Sequence, residues 1–518
     1  MKTRRYFLPI VLALFVSLSA CDDSLLDYQN PNAPTNTAFW ETPEDAELGL
    51  NAVYHQLLQP GTYSRWLFFR YDLSSDEGYS GSPWTELADW TRFNYVNYNF
   101  WEGNAIHWRD HYKGIFRANQ VLANVPEIEF SDANRKSQII GEASFLRALY
   151  YFNLAILYED VPVVLEPSNP DDKPEQQSLE QVWAQIVDDL EVAADNLPPT
   201  WSADDVGRAT KGAAHALLGK VYMQQQEWDL AKDAMEWLVE GPGAANYGLV
   251  DNYEDNFRHT TENNIESVFE IQFSDENRGG KGDVSSSSLS NERPQFFAPR
   301  GIGWSDGQTN KWIIDEYKTE NNLDGGFDTR LKWSVFYREM GDDFTNNDLV
   351  YGRPWDVAAW GDEAFIRKYS SSYFRDFEDY FSPNNFRVIR YADVLLSYAE
   401  IINELQGPAQ AVQYLNRVRQ RPSTNLAPLE ASVHAAAMNS QDAFRDRLMI
   451  ERSLELNHEG VRFMDLKRWG MFDSQTTVNE LAQRDPSFNN FEVGKHHRLP
   501  IPQGEVENNP NLDQHPEY

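Results

Sequence analysis

Apolar residues recur at the period of an α-helix over long parts of this chain, and residues 207–240 show the pattern most clearly. A tetratricopeptide helix pair has an L-G-x-x-Y run followed by small and large apolar residues. The residues with that spacing here are Leu218, Gly219, Tyr222, Ala231 and Met235. Because one helix pair cannot bury its own apolar stripe, the chain should contain further pairs that pack against it.

Further helices are predicted by the same periodicity and by capping residues. Thr42 followed by Pro43 has the chemistry of an N-cap and a first helical residue, and Ser178 has the chemistry of another N-cap. Besides the pair at 207–240, the predicted helices cover about residues 42–60, 104–125, 131–158, 178–197, 390–404, 407–421, 441–457 and 460–469. The pattern predicts a mostly α fold with four tetratricopeptide-like helix pairs as its scaffold.

Two stretches interrupt the helical pattern, at about residues 61–103 and 247–387. Both are rich in glycine, proline and aromatic residues, and apart from a strand at 268–273 only short elements are predicted in them. They would form a loop-rich, aromatic-rich lobe inserted into the helix-pair scaffold. The scaffold itself would consist of about residues 42–60, 104–240 and 388–470. Binding residues are often on loops that a rigid scaffold holds in place, so the ligand site is expected in this lobe.

The charge balance narrows the classes of partner. The chain has 45 Lys and Arg against 80 Asp and Glu, a formal charge of −35, with 14% aromatic residues. Nucleic acid and anionic membrane surfaces both require a basic protein surface, so neither is an expected direct partner. The high aromatic content is the opposite of a disordered composition. These numbers indicate a folded protein with a solvated acidic surface.

No motif of a cofactor or metal site is present. The chain lacks a phosphate-binding glycine loop, a nucleophile elbow and a CxxC pair. His458, His496 and His497 lack the i, i+4 spacing of zinc ligands on a helix. We therefore expect no cofactor and no metal.

The N-terminus has the organisation of a signal peptide. Lys2, Arg4 and Arg5 precede an apolar run at residues 6–18 that is too short to span a bilayer. Cys21 is the single cysteine and follows Leu-Ser-Ala, which resembles a bacterial lipobox; the alternative is an ordinary secretory signal with a chance cysteine. We expect residues 1–20 to be a removed lipoprotein signal peptide and residues 21–518 to be one domain. Acyl chains on Cys21 would then anchor the protein to a membrane.

Six segments in order along the mature chain resemble the SusD/RagB family. They are residues 112–119 (YKGIFRAN), 141–151 (GEASFLRALYY), 207–218 (GRATKGAAHALL), 389–404 with 414–421 (IRYADVLLSYAEIINE and YLNRVRQR), 450–470 (IERSLELNHEGVRFMDLKRWG) and 499–518. The chain departs from the usual pattern at Asp393, at Phe463 and at 515–517, none of which is a predicted ligand position. The resemblance covers nearly all of the mature chain.

This resemblance implies a function and a location. Members of the family are outer-membrane surface lipoproteins that capture glycans, or sometimes peptides, beside a TonB-dependent transporter. The expected function is therefore non-catalytic binding of an oligosaccharide outside the cell and its delivery to a SusC-like transporter. Since the binding aromatics of the family vary with the ligand, no ligand residue is carried over from it.

The ligand residues are predicted from loop position. A pyranose has apolar C–H faces and a rim of hydroxyls, so proteins bind it with flat aromatic rings and planar polar side chains. The predicted ligand-binding residues are Trp84, Trp90, Tyr95, Trp304, Asn310, Trp355, Trp360 and Tyr373. Trp101, Trp312 and Trp333 adjoin regular elements and are predicted to be in the core. A place in the core is the alternative for each of the others as well.

Two alternative functions stay open at this point. A surface glycoside hydrolase would need two acids held across a sugar, and the lobe offers Asp76, Glu77, Asp306 and Asp356. The acids and arginines at residues 447–468 recur three or four apart, which favours ion pairs over a catalytic role for Glu451 or Glu455. A peptide-binding member of the same scaffold is the other alternative.

Overall fold

The computed structural model describes residues 39–94, 101–169, 171–276, 289–344 and 349–518. The predicted lipidation site Cys21 and the predicted ligand residue Tyr95 lie outside these residues. The α-helices are α1 Pro43–His55, α2 Trp66–Tyr71, α3 Thr85–Thr91, α4 Trp101–Asn124, α5 Ala133–Tyr158, α6 Leu179–Asn196, α7 Lys211–Gln224, α8 Trp228–Val239, α9 Arg293–Phe297, α10 Lys311–Tyr317, α11 Arg330–Ser334, α12 Met340–Asp343, α13 Val357–Trp360, α14 Tyr391–Gln406, α15 Pro408–Arg419, α16 Gln441–Leu456, α17 Arg462–Arg468, α18 Gln475–Arg484 and α19 Gln503–Asn508.

The β-strands in the described residues are short. They are β1 Gly78–Tyr79, β2 Val161–Pro162, β3 Gln176–Gln177, β4 Ser267–Ile271, β5 Gln308–Thr309, β6 Val335–Phe336, β7 Phe365–Ile366 and β8 Phe386–Arg390. The predicted strand in the lobe is present as β4, which pairs antiparallel with β8. No helix in the described part of the chain combines the length and apolar content needed to cross a membrane.

The long helices pack as successive pairs, which confirms the mostly α fold. Helix α4 packs on α5, α5 on α6, α6 on α7, and α7 on α8. Helix α8 also contacts α14, which pairs with α15 and packs on α16. The two helical parts of the chain therefore form one scaffold. At the predicted tetratricopeptide pair, a Cβ on Gly219 would lie 2.4 Å from Cγ of Met235, so glycine allows the close approach of α7 and α8.

Capping boxes fix the starts of two scaffold helices. The Thr42 hydroxyl accepts a hydrogen bond from the backbone N–H of Asp45, and the Asp45 carboxylate accepts one from the backbone N–H of Thr42 at 2.9 Å. Ser178 and Gln181 make the same reciprocal pair at the start of α6. These side chains satisfy N–H groups that a helix start leaves unpaired.

The inserted lobe has a small core of its own. Ile313, Leu331, Phe336 and Phe365 are among its buried residues, and they lie apart from the main helical core. The antiparallel sheet β1-β5-β7-β6 runs through this lobe. The loop-rich part of the sequence is therefore supported by a second hydrophobic cluster, which buries several of its aromatic residues.

A buried lattice of ion pairs joins the lobe to the scaffold. The Glu455 carboxylate accepts hydrogen bonds from Arg390 at 2.6 Å, Arg421 at 2.7 Å and Arg330 at 3.0 Å. Glu451 accepts hydrogen bonds from Arg419 and Arg447, and its second oxygen lies 3.5 Å from the Arg330 guanidinium as an ion pair. Burial opposes ionisation, but these guanidinium groups hold the pKa of Glu455 and of Glu451 well below the usual range. Both acids are thus engaged in ion pairs rather than facing a sugar-sized opening.

Replacing Gly114 with alanine is expected to destabilise the protein by about 2 kcal/mol. A Cβ there would lie 2.4 Å from the Tyr150 ring, which is buried and held by a 2.8 Å hydrogen bond from its hydroxyl to the Val53 carbonyl. Overpacking of about 1–3 kcal/mol outweighs the better helix propensity of alanine. Urea unfolding measures the change. Gly341→Ala is the control, because open space surrounds that position, and an equal effect of both changes would contradict the clash.

Candidate functional site

The predicted ligand residues do not share one place in the structure. Trp90 and Trp360 are each only 3% exposed. Trp90 lies on α3 with its ring 6.0 Å from that of His107, and the indole N–H of Trp360 donates to the carbonyl of Arg300 at 2.9 Å. Neither residue presents a ring face to solvent, in contrast to the prediction, because the lobe has a core that the sequence pattern did not reveal.

Two other predicted residues, Trp355 and Tyr373, lie at separate positions. The half-buried Trp355 donates its indole N–H to the Gly361 carbonyl at 3.0 Å and packs edge-on against Trp360. The Tyr373 hydroxyl accepts a hydrogen bond from the backbone N–H of His259 at 2.7 Å. Trp355 therefore belongs to the edge of the small core, whereas Tyr373 is hydrogen-bonded to the neighbouring loop that contains His259.

The remaining two tryptophans, Trp84 and Trp304, lie on one surface. Trp304 is 54% exposed, and its indole N–H donates to the Tyr380 hydroxyl at 3.1 Å. Trp84 is half-buried and meets the buried Trp66 edge-on, with ring centroids 5.6 Å apart. From Trp66 a continuous path of ring contacts leads back to Tyr380 through Phe69 and Phe296.

A polar bridge joins the two tryptophan loops. The Ser82 hydroxyl oxygen accepts a hydrogen bond from the backbone N–H of Trp84 at 3.0 Å, and this hydroxyl also hydrogen-bonds the Asp306 carboxylate. Asp306 follows Trp304 by two residues, and Ser305 between them has a φ of 57°. This left-handed backbone turns the chain so that Trp304 is exposed while Asp306 is buried. We call Trp84, Trp304, Tyr380, Ser82 and Asp306 the aromatic surface.

Asp306 is the acidic group of the aromatic surface. Its side chain is 6% exposed, and burial raises the pKa of its carboxyl to about 6, with the hydrogen bond from Ser82 acting in the opposite direction. Near neutral pH the group is mostly an acceptor-only carboxylate. The aromatic surface thus combines an exposed indole with a buried carboxylate that bonds the Ser82 hydroxyl.

Arg65 makes cation–π contacts with the rings of Phe296 and Tyr380. Its guanidinium carbon lies 5.0 Å from the centre of the Phe296 ring and 5.8 Å from the centre of the Tyr380 ring. The Arg65 side chain also donates to Glu292 at 2.6 Å. Neither Arg65 nor Tyr380 was predicted from the sequence. Tyr380 stands in a charged loop with no periodicity, and only its contact with Trp304 identifies it.

A separate recess, which we call the cleft, opens beside the sheet and contains the predicted residue Asn310. Its volume is about 1010 Å³. The Asn310 side chain is buried at its wall and donates to the Asp485 carboxylate at 3.0 Å. Trp312, predicted to be in the core, is only partly buried and lines the cleft, with the Arg484 guanidinium 4.7 Å above its ring. Trp333 is also only partly buried, and the side chain of Trp101 lies outside the described residues.

The four acids considered for hydrolysis occupy different surroundings. Asp76 is bound by Arg462 at 2.7 Å and by Arg484 at 2.8 Å, and Asp356 accepts hydrogen bonds from two backbone N–H groups at the start of α13. Glu77 is buried, and Asp306 belongs to the aromatic surface. In the described residues, no group of three or more His, Cys, Asp or Glu is arranged to hold a metal ion.

The chain is similar to known proteins over nearly its whole length. The family model described as "SusD family" matches residues 265–518, and the one described as "Starch-binding associating with outer membrane" matches residues 26–223. SusD-like protein P25 from Formosa agariphila is 30% identical over 424 residues, which cover 78% of this chain and 77% of that protein.

Solved structures agree with this assignment. A SusD superfamily protein from Bacteroides vulgatus has a TM-score of 0.78 and 27% identity, covering 93% of this chain and 100% of its own. A laminarin binding SusD-like protein has a TM-score of 0.74 and 28% identity, covering 92% of this chain and 100% of its own. From its helix-pair scaffold, its sequence and these matches, the chain belongs to the SusD family.

Proposed function

We propose that this protein binds an oligosaccharide without cleaving it, and that the aromatic surface is where the sugar docks. The observation that carries the proposal is the exposed indole of Trp304, whose loop is joined to that of Trp84 through the Asp306 carboxylate and the Ser82 hydroxyl. A pyranose can stack its C–H face on the exposed indole, while the buried Asp306 carboxylate holds Ser82, and with it the Trp84 loop, in place. The laminarin binding relative supports a glycan as the ligand.

The expected affinity is modest. A sugar exchanges good hydrogen bonds with water for similar ones with protein, so only the stacked area and the positioning of acceptors give a surplus. The free energy of binding should be about −8 kcal/mol or weaker, a micromolar Kd or higher.

We further propose that the protein works at the outer face of the outer membrane. Residues 1–20 would be a removed signal peptide and Cys21 the lipidated anchor of a single domain, 21–518. The bound sugar would pass to a TonB-dependent, SusC-like transporter. The description of the matched family as associating with the outer membrane supports this location. Co-purification of the full-length protein with a transporter from outer membranes tests the partnership.

Trp304→Ala is expected to weaken glycan binding by about 2 kcal/mol, roughly thirtyfold in Kd, because it removes the most exposed ring of the aromatic surface. Affinity electrophoresis on laminarin, starch, xylan and mannan identifies the ligand, and calorimetry gives the Kd. Phe116→Ala is the control, since Phe116 is an exposed aromatic residue on the scaffold helix α4.

Three results would contradict the proposal. Equal binding by wild type and Trp304→Ala would remove the aromatic surface as the site. Release of reducing ends that stops in Asp306→Asn would indicate a hydrolase instead. Retention of peptides, together with no retardation on any polysaccharide, would favour the peptide-binding alternative.

A further inference from the structure

The cleft is large enough to hold more of a ligand than one sugar ring. Its volume of about 1010 Å³ is at the upper end for small-molecule sites, which are roughly 300–1,000 Å³. It lies between α10, the paired strands β1 and β5, and residues 483–487 at the end of α18. The aromatic surface could bind a sugar without a second recess of this size.

Tyr79 stands where the cleft adjoins the aromatic surface. It lines the cleft from β1, and the next five residues of the chain lead directly to Trp84. Opposite Tyr79 in the sheet is Gln308. The Gln308 side chain accepts a hydrogen bond from the backbone N–H of Gly81 at 2.5 Å and donates to the Ser305 carbonyl at 2.7 Å. Gln308 therefore fixes the loops of both tryptophans to the strand beside Tyr79.

The charged groups around the Tyr79 hydroxyl come from both sides. Asp485 belongs to the cleft, whereas Glu363, Arg92 and Arg300 come from outside it. Arg92 donates to the Ser80 carbonyl, and Arg300 to the carbonyl of Ala359. Tyr79 thus forms part of a shared wall, not the floor of a closed pocket.

The Tyr79 side chain is only partly buried, and its hydroxyl and its ring remain available to a ligand. Within the described part of the chain, its hydroxyl makes no hydrogen bond and its ring stacks on no other ring. An amphipathic ring of this kind offers an apolar face and a polar tip to a ligand. A sugar chain crossing the wall would use both.

The charge of the cleft indicates a neutral ligand. Lys311, Lys318, Arg338 and Arg484 line it together with Asp315, Glu339, Asp362 and Asp485. The opposite charges balance, so the cleft does not favour an anion or a cation by its net charge. Side chains rich in donors and acceptors suit a neutral compound with many hydroxyls.

We propose that the cleft is a second carbohydrate subsite, continuous with the aromatic surface across Tyr79, so that the protein selects neutral oligosaccharides long enough to occupy both. This inference rests on the proposed function, since it extends the same ligand. Short oligosaccharides would contact only the aromatic surface. Longer ones would also contact Tyr79 and the cleft, and would bind more tightly.

The test measures the Kd as a function of chain length. Wild type, Tyr79→Ala, Tyr79→Phe and Trp304→Ala are titrated with oligosaccharides of two to eight sugars from β-1,3-glucan, β-1,4-glucan, α-1,4-glucan, xylan and mannan. For wild type, the affinity should rise about tenfold between the shortest bound oligosaccharide and the longest. Tyr79→Ala should lose this rise while binding short oligosaccharides normally, and Tyr79→Phe should lose part of it. Trp304→Ala should weaken binding at every length.

Each other result overturns a stated part of the inference. Equal wild-type affinity for all lengths would show that the cleft is not a subsite, and this measurement requires no variant to fold. An equal loss at every length in a folded Tyr79→Ala protein would place Tyr79 at the aromatic surface alone. A wild type that binds none of the oligosaccharides would overturn the proposed function and this inference with it.

Discussion

Glu455→Gln is expected to lower the free energy of unfolding by about 3–5 kcal/mol, because it leaves three buried arginines without their shared counter-charge. The carboxylate is fully buried and accepts from Arg330, Arg390 and Arg421 at 2.6–3.0 Å. Gln keeps the size of the side chain but neither its charge nor its second acceptor oxygen. Urea unfolding at pH 7 measures the loss.

The matched control is Glu236→Gln. Glu236 pairs with Lys232 one helical turn away on α8, and its side chain is 40% exposed. Exposed pairs contribute about 0–1 kcal/mol, so this variant should unfold close to wild type. Similar effects of the two substitutions would show that the buried lattice is not a major source of stability.

Glu77→Gln is expected to stabilise the protein at pH 8 by about 4 kcal/mol, with almost no effect at pH 5. Burial raises the pKa of Glu77 from 4.5 to about 8; Arg462 opposes the rise and Asp76 adds to it. Between these pH values the folded protein keeps a proton that the unfolded chain has lost. Stability therefore falls as pH rises through this window, and Gln removes that dependence because it stays neutral.

Urea unfolding of parent and variant at half-unit steps from pH 4.5 to 9 gives the difference directly. The two curves should meet near pH 5, separate by about 1.4 kcal/mol per pH unit up to about pH 8, and stay a constant distance apart at higher pH. Other groups titrate in both proteins, so their contributions cancel in the difference. Parallel curves over the whole range would mean that Glu77 is ionised in the folded protein.

The scaffold could be predicted because its signals are local. Thr42 and Ser178 cap the helices that they were expected to cap, and Gly219 lies where α7 approaches Met235 of α8. Helix α18 was missed, although Ser474 caps it, since only Val478 and Leu481 of its residues are buried apolar ones. Two apolar positions in ten residues are too few to show a helical period.

The candidate site could be predicted only in part. Loop position correctly separates the exposed Trp304 from the scaffold, but it gives the same expectation for Trp90 and Trp360, which are buried. The difference arises from long-range packing. The Trp360 indole donates to the Arg300 carbonyl across 60 positions of the chain, and Tyr380 meets Trp304 across 76 positions. No local pattern of residues encodes such contacts.

The buried lattice of ion pairs also determines how the protein should unfold. Arg330 belongs to the inserted lobe, whereas its partners Glu451 and Glu455 belong to α16 of the scaffold. Separating the lobe from the scaffold would leave charged side chains without their partners on each side, in surroundings that are otherwise apolar. The lobe and the scaffold should therefore unfold in one cooperative transition, and a lobe excised from the scaffold should not fold.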